Sequence, residues 1–225
     1  HRALSRNSAS SRAIPVQKQI SRILSDPAYP VAFGANRPGM QAGENISRFK
    51  TKLAKGIWKT ASLLAVAMAW LLMKLGVHKQ ITNRILEPFM WHTVIITATD
   101  LDNFFNLRDH EMAQPEIALV AKAMRKALAE STPRKLGYGE WHLPFIQKDE
   151  ETLPLELRQR VSMARCARVS YLTHDGVRSI EKDKELFYRL TSAEPKHSSP
   201  GEHLATPDLR WDTPGNFTGW AQFRH

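Results

Sequence analysis

Apolar positions recur along this chain with two different periods, and the changes of period predict its elements. From about Asn45 to Leu75 the spacing is helical, with Gly76 standing where a C-terminal cap belongs. Within that stretch Ala61 to Met73 (ASLLAVAMAWLLM) is the most hydrophobic run, 13 residues long between Lys59 and Lys74. A bilayer span needs roughly 20 such residues, so the run predicts a helix buried in protein. After VHKQITNRILEP the β-branched TVIITAT (93–99) favours a strand. Asp100 is a suitable N-cap for a helix through LDNFFNLR to Arg108. Pro115 and Glu116 open another, in which Ile117, Val120, Ala121, Met124 and Leu128 recur as one buried face until Ser131-Thr132-Pro133 stops it.

The remaining stretches are less regular. Residues 1–44 contain Pro15, Pro27, Pro30 and Pro38 and read as surface loop, with a short helix around Val16 to Leu24. Residues 132–156 are turn-rich. A helix from Leu155 to Ala164 leads into a short apolar segment, ARVSYL, and a further helix is expected over Ile180 to Leu190. From Ser192 onward the chain is rich in Pro, Gly, His and Trp. There is no internal repeat and no linker between independent domains, so a single domain over residues 1–225 is expected, with a piece missing before His1.

Composition narrows the chemistry. Lys and Arg number 32 against 22 Asp and Glu, a net charge of +10, which predicts attraction to nucleic acid, a membrane surface or phosphorylated small molecules without choosing among them. The single cysteine, Cys166, excludes an intrachain disulfide framework and a thiolate-rich zinc site, and suits a reducing cytoplasm. There is no GxGxxG, no Gly-rich Lys-Ser/Thr phosphate loop, no HExxH and no GxSxG. His197 and His203 flank Glu202 but are not at helical ligand spacing, so no metal site is expected. The basic residues form no isolated patch or nucleic-acid-binding motif, which argues against a nucleic-acid partner, and no membrane partner is expected either.

Three features concentrate cations and hydroxyls. HRALSRNSASSR (1–12) holds three arginines and four serines; Arg84 precedes an apolar segment in NRILEP; and Arg108 shares a helix face with Phe104, which would hold its guanidinium near packed apolar surface. Arginine in such settings pairs with a carboxylate or a phosphate through two parallel hydrogen bonds. Either a structural ion pair or a mononucleotide phosphate would satisfy them.

HRALSRNSASSR resembles the signature of the flavin-dependent thymidylate synthases, R-H-R-x-x-S-x-N-E-x-S-x-R-Y, with His1, Arg2, Ser5, Asn7, Ser10 and Arg12 matching and the first arginine falling before residue 1. RILEP (84–88), NFFNLRDHEMAQPEI (103–117), ARVSY (167–171) and HSSPGEH (197–203) resemble further segments of that family. ARVSY and HSSPGEH follow the signature here, whereas in the commoner members they precede it. The order resembles that of a longer, permuted branch, which also has GMQA, HKQ, GEWHLP and a closing NFxGWxQ-like segment. Permutation is tolerated where the old termini lay close together at the surface.

The resemblance implies an α+β domain with an antiparallel sheet and packed helices, in circularly permuted segment order. It implies a homotetramer with active sites between subunits, converting dUMP to dTMP with FAD as cofactor and with NADPH and methylene-tetrahydrofolate as co-substrates. Carried over position by position, Ser10, Arg12, Arg84 and Arg108 would bind dUMP, with Ser10 and Arg108 at the chemistry. His1, Arg2, Asn7, Asn103, Ser170, His197, Ser199 and Glu202 would hold FAD. Four departures stand out: Ser8 replaces the signature glutamate, Ala13 its tyrosine, Thr97 or Thr99 an asparagine or arginine, and Pro115 interrupts a stretch that is usually helical. The lost carboxylate at Ser8 keeps two alternatives open, a preference for dCMP and hydroxymethylation in place of methylation.

Overall fold

The computed structural model describes residues 4–171, 178–208 and 216–224. It is a mixed helix and sheet structure, 52% helical, with two small antiparallel sheets. The residues group into two compact units, each assembled from separated stretches of chain.

The first unit comprises His1–Ser10, His92–Asp100 and Pro133–His225. Strand β1 (Leu4–Ser8) pairs antiparallel with β2 (Val94–Ala98), in the register Leu4 to Ala98 and Ser8 to Val94. The sequence pattern predicts β2 but assigns β1 to loop. Helix α6 (Leu155–Tyr171) runs seven residues beyond the expected Ala164, so ARVSY is its final turns and not a separate apolar segment. Helix α7 (Ile180–Thr191) packs on it through Leu186 and Leu190 against Ala164 and Ala167. Met163 and Cys166 face Leu204 on the other side of α6. Short strands β3 (Ala205–Pro207) and β4 (Trp220–Gln222) form the second sheet.

One buried ion cluster fixes α6. Arg165, 5% exposed, pairs bidentately with Glu150 at 2.6 Å on each nitrogen and reaches Asp183 at 2.9 Å, while Arg168 also pairs with Asp183 at 2.7 Å. Arg165 also donates to the carbonyl of Phe145 at 2.8 Å. Phe145 is the one described non-glycine residue with positive φ, 65°, a conformation that such an external bond helps to hold. The Arg165 guanidinium keeps the Glu150 carboxyl below its ordinary range.

The second unit comprises Ser11–Trp91 and Leu101–Thr132. Helix α1 (Val16–Ser25) and a 3-10 turn over Asn83–Phe89 pack on α2 (Arg48–Lys74), their core formed by Ile23, Val66, Ala69, Leu86 and Phe89. Ser47 caps α2 by accepting from Lys50 N–H. At its other end Gly76 takes φ +78°, Gly76 N–H donates to Met73 O and Val77 N–H to Leu72 O, a Schellman closure at the expected glycine. The expected burial of α2 does not occur. Only Ser62, Val66 and Ala69 are buried along its 27 residues, and Phe49, Leu53, Ile57 and Leu64 are 58–78% exposed. Its length and composition would suffice to cross a membrane, although the uninterrupted apolar run alone is short.

A short helix α3 (Lys79–Thr82) precedes the 3-10 turn. Helix α4 (Asp102–Arg108) has Leu101, not Asp100, at its N-cap position, with no side-chain capping bond. Helix α5 (Pro115–Glu130) starts at the expected proline but buries only Ala121 fully, since Val120 and Leu128 are 49% and 56% exposed.

Candidate functional site

In the first unit, three segments that carry the family resemblance converge. Asn7 on β1 donates its amide to Cys166 O at 2.9 Å and accepts from Ser170 Oγ at 2.9 Å, while Ser10 N–H donates to Ser170 O at 3.0 Å. The end of the signature is thereby fastened to the last turns of α6, with Ser170 O one of the carbonyls that a helix end leaves without an intrahelical partner. Cys166 is fully buried in that helix, and burial pushes its thiol up to about 12. It is no nucleophile.

A second network joins the signature to the HSSPGEH segment and the closing segment. Ser5 is 1% exposed and accepts from Gln222 Nε2 at 2.9 Å and from Asn216 Nδ2 at 3.1 Å. Asn216 Nδ2 also reaches the Glu202 carboxylate at 3.1 Å, Gln222 Nε2 donates to Glu202 O at 2.6 Å, and Arg224 pairs with the same carboxylate. Glu202 lies in a 3-10 turn over Ser199–His203. His203 is fully buried; its Nδ1 meets Thr97 Oγ1 at 2.9 Å and its Nε2 has no partner among the described residues. Burial, reinforced by nearby His142, lowers its pKa to about 4, so the imidazole is neutral at pH 7. Sequence reasoning assigned His203 no role, although the HSSPGEH segment contains it. His197 and Ser199 are exposed and take no part in this network.

In the second unit, the cations of the predicted nucleotide group are arranged by a buried amide. Asn83 is fully buried and donates Nδ2 to Ser11 O at 2.7 Å and to Ile14 O at 2.9 Å; Lys79 Nζ donates to Ala13 O at 2.9 Å. Three donors thus pin the turn that carries Arg12 beside the residue preceding Arg84. Arg12 and Arg84 are both exposed, and neither has a carboxylate partner among the described residues. The Arg84 Nε donates to Gln80 O at 3.2 Å. Lys79 and Asn83 escaped the sequence reading, although HKQ and NRILEP contain them.

Arg108 and Asn103 lie exposed on α4. Helix α4, which carries Arg108, packs on α5, whereas Arg12 and Arg84 flank the turn pinned by Asn83. No cation–ring contact between Arg108 and Phe104 is present among the described residues. Instead Phe104 meets Phe105 edge-on at 5.6 Å, and Arg125 lies over the Phe105 ring at 4.9 Å while pairing with Asp109 at 2.7 Å. His1 and Arg2 lie outside the described residues. Comparison with models of known protein families, with curated proteins and with solved structures returns no match.

Proposed function

We propose that this chain is a flavin-dependent thymidylate synthase that methylates dUMP, with FAD as cofactor and NADPH and methylene-tetrahydrofolate as co-substrates, working in the cytoplasm as a homotetramer with active sites between subunits. The observation that carries this reading is the Arg12 and Arg84 corner. Two guanidiniums free of carboxylate partners stand on backbone pinned by Asn83 and Lys79, which suits a phosphate needing fixed, planar donors. Arg108 is assigned to the same nucleotide.

For the flavin, the first unit offers polar groups of the right kind: the second N–H of the Asn7 amide, the accepting lone pairs of Ser170 Oγ and the Glu202 network of amides suit the hydrogen-bonding edge of an isoalloxazine. Asn103, His197 and Ser199, together with His1 and Arg2, complete the proposed flavin group. When bound, FAD supplies the reducing equivalents. The protein's part is to bind and orient, and to polarise the pyrimidine ring with fixed donors, since the buried Cys166 cannot attack it. Ser10 and Arg108 are assigned to that polarisation. Ser8, in place of a carboxylate, favours a pocket less selective at the pyrimidine edge.

The test begins with the purified full chain. A yellow preparation bleached by NADPH and forming dTMP from dUMP, read by mass spectrometry, is the expected result. A hydroxymethylated product, or turnover of dCMP alone, assigns the neighbouring chemistry; a colourless protein that takes up no flavin rejects the reading. Arg84→Ala should weaken dUMP binding at least about tenfold with flavin retained, and Arg84→Lys should not restore it, because an ammonium cannot reproduce the planar fork. Unchanged dUMP affinity in Arg84→Ala removes Arg84 from the site.

A further inference from the structure

Helix α2 leaves a long apolar face open among the described residues. Along its outward side Phe49, Leu53, Ile57 and Leu64 line a shallow groove with Lys52, Gly56, Thr60 and Ala61. These positions recur every three to four residues, the spacing of a helix-packing seam. At the groove's centre sits Gly56, where an added Cβ would meet nothing within 4 Å. A glycine inside a helix costs about 1 kcal/mol relative to alanine, and no neighbour among the described residues requires it there. Close approach of a second helix would.

We propose that this face binds a second copy of the same chain, α2 against α2 in antiparallel fashion, with a two-fold axis passing between Gly56 and Ile57. Charge selects the direction. The helix has no acidic residue, and its cations in this half are Arg48, Lys50, Lys52, Lys55 and Lys59. In a parallel pair each cation meets its own copy. In the antiparallel register they meet Ala65, Leu63, Ala61, Trp58 and Ala54, all uncharged. Phe49 then lies opposite Leu64, and Leu53 opposite Thr60. Two such faces in contact remove on the order of 1,000 Å² from water in total, the scale at which stable association begins.

A bilayer fits the same surface less well. Helix α1 packs along the more apolar half of α2 and carries Gln17, Lys18, Ser21 and Arg22, which a spanning α2 would draw into hydrocarbon.

The proposal names the surface and geometry of one contact and does not depend on flavin or nucleotide chemistry. A coloured monomer would overturn it, and with it the homotetramer of the proposed function, while leaving the flavin assignment standing; a colourless dimer would overturn only the enzymatic reading. Its test uses the full chain, in which the one native cysteine is buried. Sedimentation at micromolar concentration should give a multimer whose mass halves in Ile57→Glu, with circular dichroism unchanged and with the exposed Leu119→Glu as an unaffected control. Ile57→Cys should self-cross-link on mild oxidation. Phe49→Cys should not, its two copies lying about 20 Å apart at 1.5 Å per residue, but should cross-link when mixed with Leu64→Cys. A monomeric wild type, an Ile57→Cys that stays uncoupled, or a self-linking Phe49→Cys each overturns the proposal. So does binding to anionic phosphatidylserine vesicles that Ile57→Glu abolishes without any change of mass in solution.

Discussion

Asn83 illustrates how one buried side chain can govern two functional ones. Its Nδ2 satisfies two carbonyls of the Ser11–Ile14 turn, and replacing it with alanine leaves both without their donor in a dry setting. Asn83→Ala is expected to lower stability by about 2–4 kcal/mol, read from urea unfolding, and to weaken binding of a phosphate-bearing ligand by releasing the Arg12 turn. His203 gives a pH signature. Its pKa in the folded chain is lowered from 6.5 to about 4. The contribution of its neutral form is therefore complete above pH 6.5 and is lost as pH falls toward 4, where the unfolded chain has taken up a proton that the folded one refuses. About 3 kcal/mol of stability should disappear over that window, with His142, whose pKa is also lowered by desolvation, adding a smaller effect in the same direction. His203→Gln should flatten the slope when unfolding is compared at pH 7 and pH 4.5. At this scale the sequence exposed the guanidiniums but not what holds them. Arg12 and Arg84 stand out in short motifs, whereas Asn83 acts on carbonyls about 70 positions away, a partnership that no local pattern encodes.

Among the elements, α6 owes its rigidity to charges as much as to packing. Arg165 is the only cation bonded to both Glu150 and Asp183 among the described residues. Its removal strands the buried Glu150 carboxylate and leaves Asp183 to Arg168 alone. Arg165→Met is expected to cost about 3–5 kcal/mol, measured as a fall in the urea midpoint, and Arg165→Lys should recover little because a point charge cannot replace the bidentate fork. The same cluster explains why α6 outran its predicted end. Arg165 and Arg168 are one turn apart and both reach α7, so the helix continues through ARVSY on the strength of a partner that its own periodicity does not reveal. Strand β1 was missed for a related reason. Its residues are mostly polar, and they become a strand by pairing with β2, some 90 residues onward. Where signals were local, as at Gly76, Pro115 and the β-branched run of β2, element and position agreed with expectation.

At the scale of the whole molecule, the sequence could not disclose which apolar helix would be covered. A hydrophobic run reads alike whether its neighbour is the same chain or another, and α2 was therefore expected inside. The two compact units were equally hidden, because each is built from separated stretches and no linker marks a boundary. One feature of this architecture offers a practical handle. The lone thiol of the chain, on Cys166, is sealed in the first unit and held in its unreactive protonated form. Maleimide dyes should leave the native protein unlabelled for as long as it stays folded, so that the rate of labelling becomes a clock for transient opening. A chain that labels within minutes at neutral pH in the absence of denaturant would show that α6 breathes far more readily than its packing implies.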